Sequence, residues 1–101
     1  MLTREMGRID WTRDAGALDR QVRGLSPWPG TFTHFRGEVL KVLRARPTEG
    51  EGVPGTCLPG ARVACGAGAL ELVEVQLPGR RAVSGLDFQN GSRVQPGERM
   101  D

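Results

Sequence analysis

The chain has no tyrosine, only five aromatic residues, one histidine and two cysteines in 101 residues. Each shortage removes a class of function. The lone histidine, His34, stands between Thr33 and Phe35 with no serine or cysteine beside it. It offers no nucleophile–base pair, and one histidine cannot supply a metal cluster. Cys57 and Cys65 lack the C-x-x-C spacing and lie in apolar runs, so they read as small buried hydrophobes in a reducing compartment rather than a disulfide. Gly66-Ala67-Gly68 is not followed by the Lys-Ser/Thr of a phosphate loop. Glu71 and Glu74, three apart on a strand, point to opposite faces and make no carboxylate pair. No run approaches the roughly 18 apolar residues of a membrane span. Met1 to Met6 lack the apolar core of a signal peptide, so a cytoplasmic location is expected. Trp11, Trp28, Phe32, Phe35 and Phe88 barely fill a core of this size, which assigns most of them to packing. Neither a catalytic constellation nor a cofactor or metal site is expected on this chain.

Glycine and proline are plentiful instead, fifteen and seven, scattered singly between short apolar runs. That pattern predicts one small, mainly β domain of short strands and tight turns. Residues 1–8 read as a linker and 9–101 as the domain. Ile9-Asp10-Trp11 is a short strand candidate, and Thr12 a helix cap. Ala15, Leu18, Val22 and Leu25 make the stripe of an amphipathic helix over about 14–25. Pro27-Trp28-Pro29-Gly30 is a rigid corner. Strands are expected over 31–35 and 38–46 around a tight Arg36-Gly37 turn, and over 56–58 and 62–65 around Pro59-Gly60-Ala61. In the longest strand, 69–77, the apolar phase changes between Leu72 and Val73, which predicts a β-bulge. Ser84 and Asp87 have capping-box spacing for a short helix over about 85–90, closed at Asn90-Gly91.

Charge is unevenly spread. Residues 1–46 carry nine basic and five acidic side chains, whereas 47–101 carry five and seven. Thirteen of the fourteen basic residues are arginine, suited to bidentate phosphate contacts but also a product of GC-rich coding. Arg4, Arg8, Arg23, Arg36, Lys41, Arg80 and Arg81 are the candidates for contacts to a nucleic-acid backbone.

Several segments follow one another in a telling order. Ile9-Asp10-Trp11-Thr12 precedes Arg20-Gln21-Val22-Arg23-Gly24-Leu25-Ser26-Pro27-Trp28-Pro29-Gly30. Leu40-Lys41-Val42, Pro54-Gly55-Thr56 and Val63-Ala64-Cys65-Gly66-Ala67-Gly68-Ala69-Leu70 come next. Val75-Gln76-Leu77-Pro78-Gly79-Arg80-Arg81 and Pro96-Gly97-Glu98-Arg99 close the run. Across nearly its whole length the chain resembles the C-terminal domain of bacterial methionyl-tRNA formyltransferases. The resemblance implies an OB-fold-like Greek-key barrel that helps hold initiator tRNA by its phosphate backbone. It also implies a missing N-terminal Rossmann-like domain that binds 10-formyltetrahydrofolate and carries the catalytic Asn, His and Asp. No position here matches those three, so the chain by itself is expected to catalyse nothing; the resemblance implies upstream residues carrying the formyl-folate site, while the sequence alone leaves open whether the gene extends before Met1. Leu2-Thr3-Arg4-Glu5 resembles the end of the family's basic linker, and Arg80-Arg81 its basic pair after Gln-x-x-Gly. Two departures weaken tight binding by the isolated domain: Arg4 and Arg8 stand where the family linker is often lysine-rich, and the Leu58–Arg62 hairpin is short. Sugar-nucleotide N-formyltransferases share the Pro-Trp-Pro-Gly corner, and a structural or oligomerisation module is a further alternative. The Gln76–Arg81 run favours the tRNA enzyme.

Overall fold

The computed structural model describes residues 4–26 and 29–101, with Arg4 and Glu5 by backbone alone. Pro27 and Trp28 of the expected rigid corner lie outside the described residues. The fold is mainly β with two helices, as the turn pattern predicted. Strand β1 (Thr31–Phe35) pairs antiparallel with β2 (Glu38–Thr48). Arg36 and Gly37 join them at φ 52° and 80°, the positive pair that a two-residue turn of matching twist requires. β3 (Cys57–Leu58), β4 (Arg62–Ala64), β5 (Ala69–Gln76) and β6 (Val83–Ser84) complete a sheet of order β1-β2-β5-β4-β3, with β6 beside β5.

These strands leave the sheet open between β1 and β3, and the last residues of the chain span that gap. The Asp101 N–H donates to the His34 carbonyl at 2.9 Å, while the His34 N–H donates to the Asp101 carbonyl at 3.1 Å. On the other side, the Met100 N–H donates to Gly55 at 2.7 Å and the Cys57 N–H to Glu98 at 2.6 Å. The gap is thus spanned only by single bridges at Met100 and Arg99, and the sheet does not close into a barrel of continuous ladders.

The phase change in β5 is a bulge. Val42 pairs with Val75, Arg44 with Glu74 and Ala45 with Leu72, so Leu43 and Val73 are each left unmatched. Leu70 and Leu72 before the bulge and Val75 after it thus all face inward. Pro47 is tolerated in β2 because β1 pairs only with Glu38–Val42, leaving that stretch without a neighbour to receive its missing N–H.

Helix α1 (Ala15–Gly24) buries Ala15, Leu18 and Val22 against the sheet. Its cap is Asp14, which accepts from the Ala17 N–H at 2.6 Å, and not Thr12. Thr12 is already engaged: its N–H and hydroxyl both donate to Asp10 Oδ1, at 3.0 and 2.6 Å. That turn also reduces the expected strand at Ile9–Trp11 to a single bridge between Arg8 and Phe32. Helix α2 (Gly85–Gly91) starts at Ser84, whose Oγ accepts from the Asp87 N–H at 3.0 Å. It ends one step later than Asn90-Gly91 suggested. Arg93, at φ 50°, is the left-handed residue, and the Val94 N–H returns to the Gln89 carbonyl at 3.0 Å. Glycine is obligatory where α2 begins, since a Cβ on Gly85 would lie 1.7 Å from the Leu72 carbonyl oxygen.

The core holds Trp11, Leu18, Phe35, Leu40, Val63, Leu70, Phe88 and both cysteines among its buried members. Thr31 and Thr33 are buried too, 3% and 0% exposed. Their hydroxyls are satisfied internally. Thr31 donates to the Val42 carbonyl at 2.8 Å, and Thr33 accepts from Trp11 Nε1 at 2.9 Å while donating to the Asp101 carbonyl.

Candidate functional site

Because the threonines and Phe35 of β1 face inward, Phe32 and His34 must face outward. The outer face then reads across the strands by register. Arg8 bridges Phe32, Phe32 pairs with Lys41, and Lys41 pairs with Gln76. Paired residues share a face, so these four side chains form one row on the outside of the sheet. Arg8 and Lys41 are exposed, whereas Phe32 and Gln76 are half-buried. Gln21 of α1 anchors the Arg8 end, its Nε2 donating to the Met6 and Arg8 carbonyls at 2.9 and 3.2 Å. At the other end, Gln76 Nε2 donates to the Arg80 carbonyl at 2.8 Å, fixing the turn that carries exposed Arg80 and Arg81. Two shallow grooves flank this turn and share Leu77. One is lined by Val39, Lys41 and Gln76, the other by Arg80, Arg81, Val83 and Phe88.

The seven basic candidates separate into three groups. Arg8 and Lys41 lie on this face, Arg80 and Arg81 on the turn at its Gln76 end, and among the described residues none of the four is in an ion pair. Arg4 belongs to a 3-10 turn over Arg4–Gly7, next to the Arg8 end of the row. Arg23 and Arg36 are engaged elsewhere. Arg23 pairs with Asp19 one helical turn back, at 2.9 Å. Arg36 makes two parallel bonds to Glu98, at 2.9 and 2.8 Å, donates to the Ser92 and Arg93 carbonyls, and lies 4.8 Å from the centre of the Phe35 ring. It clamps the end of α2 to the C-terminal segment. The hydrogen bonds from Arg36, and one from the Gln95 N–H, hold the Glu98 carboxyl below its usual range.

The thiols add no reactivity. Both cysteines are buried and unpaired with each other, and burial pushes each up to about 11. Among the described residues no group of three or more His, Cys, Asp or Glu could hold a metal, and no helix is long and apolar enough to cross a membrane. What the face offers is cations in a row beside an aromatic ring. That arrangement can grip a polyanion.

Residues 1–93 match the family model described as the formyl transferase C-terminal domain. The chain belongs to this formyl transferase C-terminal domain family. Among curated relatives, the methionyl-tRNA formyltransferase of Gluconacetobacter diazotrophicus is 53% identical over 102 residues, covering 98% of this chain and 33% of that protein. That of Gluconobacter oxydans is 48% identical, covering 98% and 34%. The chain thus spans about a third of the length of these relatives. Among solved structures, HypX from Aquifex aeolicus superposes with a TM-score of 0.71 at 18% identity, covering 97% of this chain and 19% of that one. That likeness is one of fold alone.

Sequence reasoning missed Phe32. It assigned most of the five aromatics to packing without separating Phe32 from the rest. The signal available was parity: Phe32 and Phe35 are three apart and cannot share one face of a strand.

Proposed function

We propose that this chain is the tRNA-positioning C-terminal domain of a methionyl-tRNA formyltransferase, acting in the cytoplasm at translation initiation. The observation that carries the reading is the row of Arg8 and Lys41 with the Arg80-Arg81 turn at its end, none of them ion-paired among the described residues, whereas the β2 arginines Arg44 and Arg46 face glutamates. The names of the relatives supply the substrate class. Arg4 remains a candidate contact by residue type and by its place just before Arg8, whereas Arg23 and Arg36 serve the fold. Contacts to phosphate fix the register of the RNA, and the reaction follows from proximity: an attached catalytic domain meets an amino group already held in place. The co-substrate 10-formyltetrahydrofolate is assigned to that other domain. The row itself offers arginine, lysine and glutamine as donors.

The test is a titration of initiator tRNA against the folded chain at increasing salt. The logarithm of the affinity should fall with log salt by about 0.9 per duplex phosphate neutralised. The double variant Arg80→Glu/Arg81→Glu should flatten that slope by about two, one for each arginine removed. A UDP-sugar should not bind. Salt-independent affinity, or no binding at low salt with tRNA in excess, would end this reading.

A further inference from the structure

Phe32 is an anomaly in a protein so poor in aromatics. Trp11, Phe35 and Phe88 are all core members, but Phe32 is not among the core cluster or the residues packed on it. Its neighbour on the same face, His34, meets it edge to face, ring centroids 5.7 Å apart and planes at 85°. Neither ring is needed to fill the core, since the inward positions of β1 are taken by Thr31, Thr33 and Phe35. A ring left partly exposed outside the core forgoes some of the burial that would otherwise stabilise the fold. Here it stands between two cations in register, Arg8 on one side and Lys41 on the other, each one strand spacing away, roughly 5 Å.

From this we infer that the outer face of β1 is a stacking platform, on which Phe32, supported by His34, receives the base of an unpaired nucleotide whose phosphates lie on Arg8 and Lys41. The inference rests on the RNA-binding reading above and sharpens it. Duplex backbone alone gives an aromatic ring nothing to do, whereas an unstacked base has an apolar face that a ring can cover. Polarity along the strand sets the direction. The His34 end of the platform abuts Asp101 and pairs with Val39, and the Phe32 end adjoins the basic row. The anionic backbone therefore runs along Arg8, Lys41 and the Gln76–Arg81 turn, with the base inserted over Phe32.

The experiment compares two probes on the whole chain: a single-stranded oligoribonucleotide carrying 2-aminopurine, and a blunt RNA duplex with the same number of phosphates. Binding of the single strand should change the 2-aminopurine fluorescence as the base stacks. Phe32→Leu should weaken single-strand binding about 5- to 150-fold, the range for loss of one base–aromatic contact, and abolish the fluorescence change. Duplex affinity and its salt slope should stay the same, and Phe32→Trp should restore the single-strand value. If Phe32→Leu compromises folding, His34→Ala on the same face provides the measurement, with a smaller loss confined to the single strand. Equal losses for both probes, or no loss for either, would overturn the platform while leaving the phosphate reading to stand on the Arg80/Arg81 variant. No effect on RNA together with a lowered melting temperature of a longer, two-domain formyltransferase would assign the face to protein packing instead. Failure of the wild-type chain to bind either RNA at low salt would remove both proposals.

Discussion

The β2–β5 ladder carries basic residues on both sides of its bulge, and the two sides treat them differently. Before Leu43, Lys41 faces the uncharged Gln76 and has no carboxylate partner. Beyond it, Arg44 faces Glu74 at 3.7 Å and Arg46 faces Glu71, with bonds of 3.1 and 3.0 Å. The same strand pair thus presents a row open to an anion at one end and a self-neutralised row at the other. Counting arginines therefore says little about where a polyanion binds. Cross-strand pairing decides which cations remain available. The bulge matters to this division because the unmatched Leu43 and Val73 reset which residues lie opposite each other.

The largest break in the comparison comes from disturbing the bulge itself. Gly85 packs its α-carbon against the Leu72 carbonyl, the residue just before unmatched Val73. Backbone cannot yield there as a side chain could, so Gly85→Ala should destabilise the domain by about 3 kcal/mol or more in urea denaturation. Gly91→Ala, in the same helix with nothing within 4 Å of its would-be Cβ, should be close to neutral. Equal effects at the two glycines would refute this account of the bulge.

A smaller effect should follow from making the two sides alike. Glu71→Gln with Glu74→Gln releases Arg46 and Arg44 to the solvent. Affinity for tRNA should rise at low salt, and the salt slope should steepen by ~1–2, measured by fluorescence anisotropy. Thermal stability should hardly move, because exposed ion pairs contribute little. An unchanged slope would confine the RNA to the Lys41 side of the bulge.

The least effect belongs to the clamp that holds the C-terminal segment. Glu98 is held below the ordinary carboxyl value of 4.5, chiefly by Arg36. A carboxyl with a depressed folded value stabilises the native state above its unfolded pKa, and that contribution is lost as the pH falls through the folded value. The wild-type melting temperature should therefore drop on acidification below about 4.5. Glu98→Gln should flatten that part of the profile and leave the neutral-pH salt slope for tRNA unaltered. A profile identical to wild type would show that the clamp does not contribute to stability.

Much of the local architecture was legible in short stretches. The Arg36-Gly37 turn, the Ser84–Asp87 cap, the helix stripe and the phase change at Leu72/Val73 each depend on residues a few positions apart. Backbone preference and side-chain period act over that distance, so a single sequence encodes them directly. Where a local rule failed, a competing local bond had won, as when Asp10 drew Thr12 away from capping α1. The basic candidates were found from their residue type, but type alone could not tell Arg36, bound to Glu98, from Lys41, bound to no carboxylate.

By itself, then, the amino-acid order determined the mainly β character, the turns, both helices and the supply of cations. Tertiary structure alone decided that Thr33 goes inward and Phe32 outward, because that choice rests on a hydroxyl shared between Trp11 and Asp101, 22 and 68 residues away. It likewise decided which arginines keep a free charge. Both outcomes depend on groups brought together only when the sheet folds back on itself, and no local preference reaches that far.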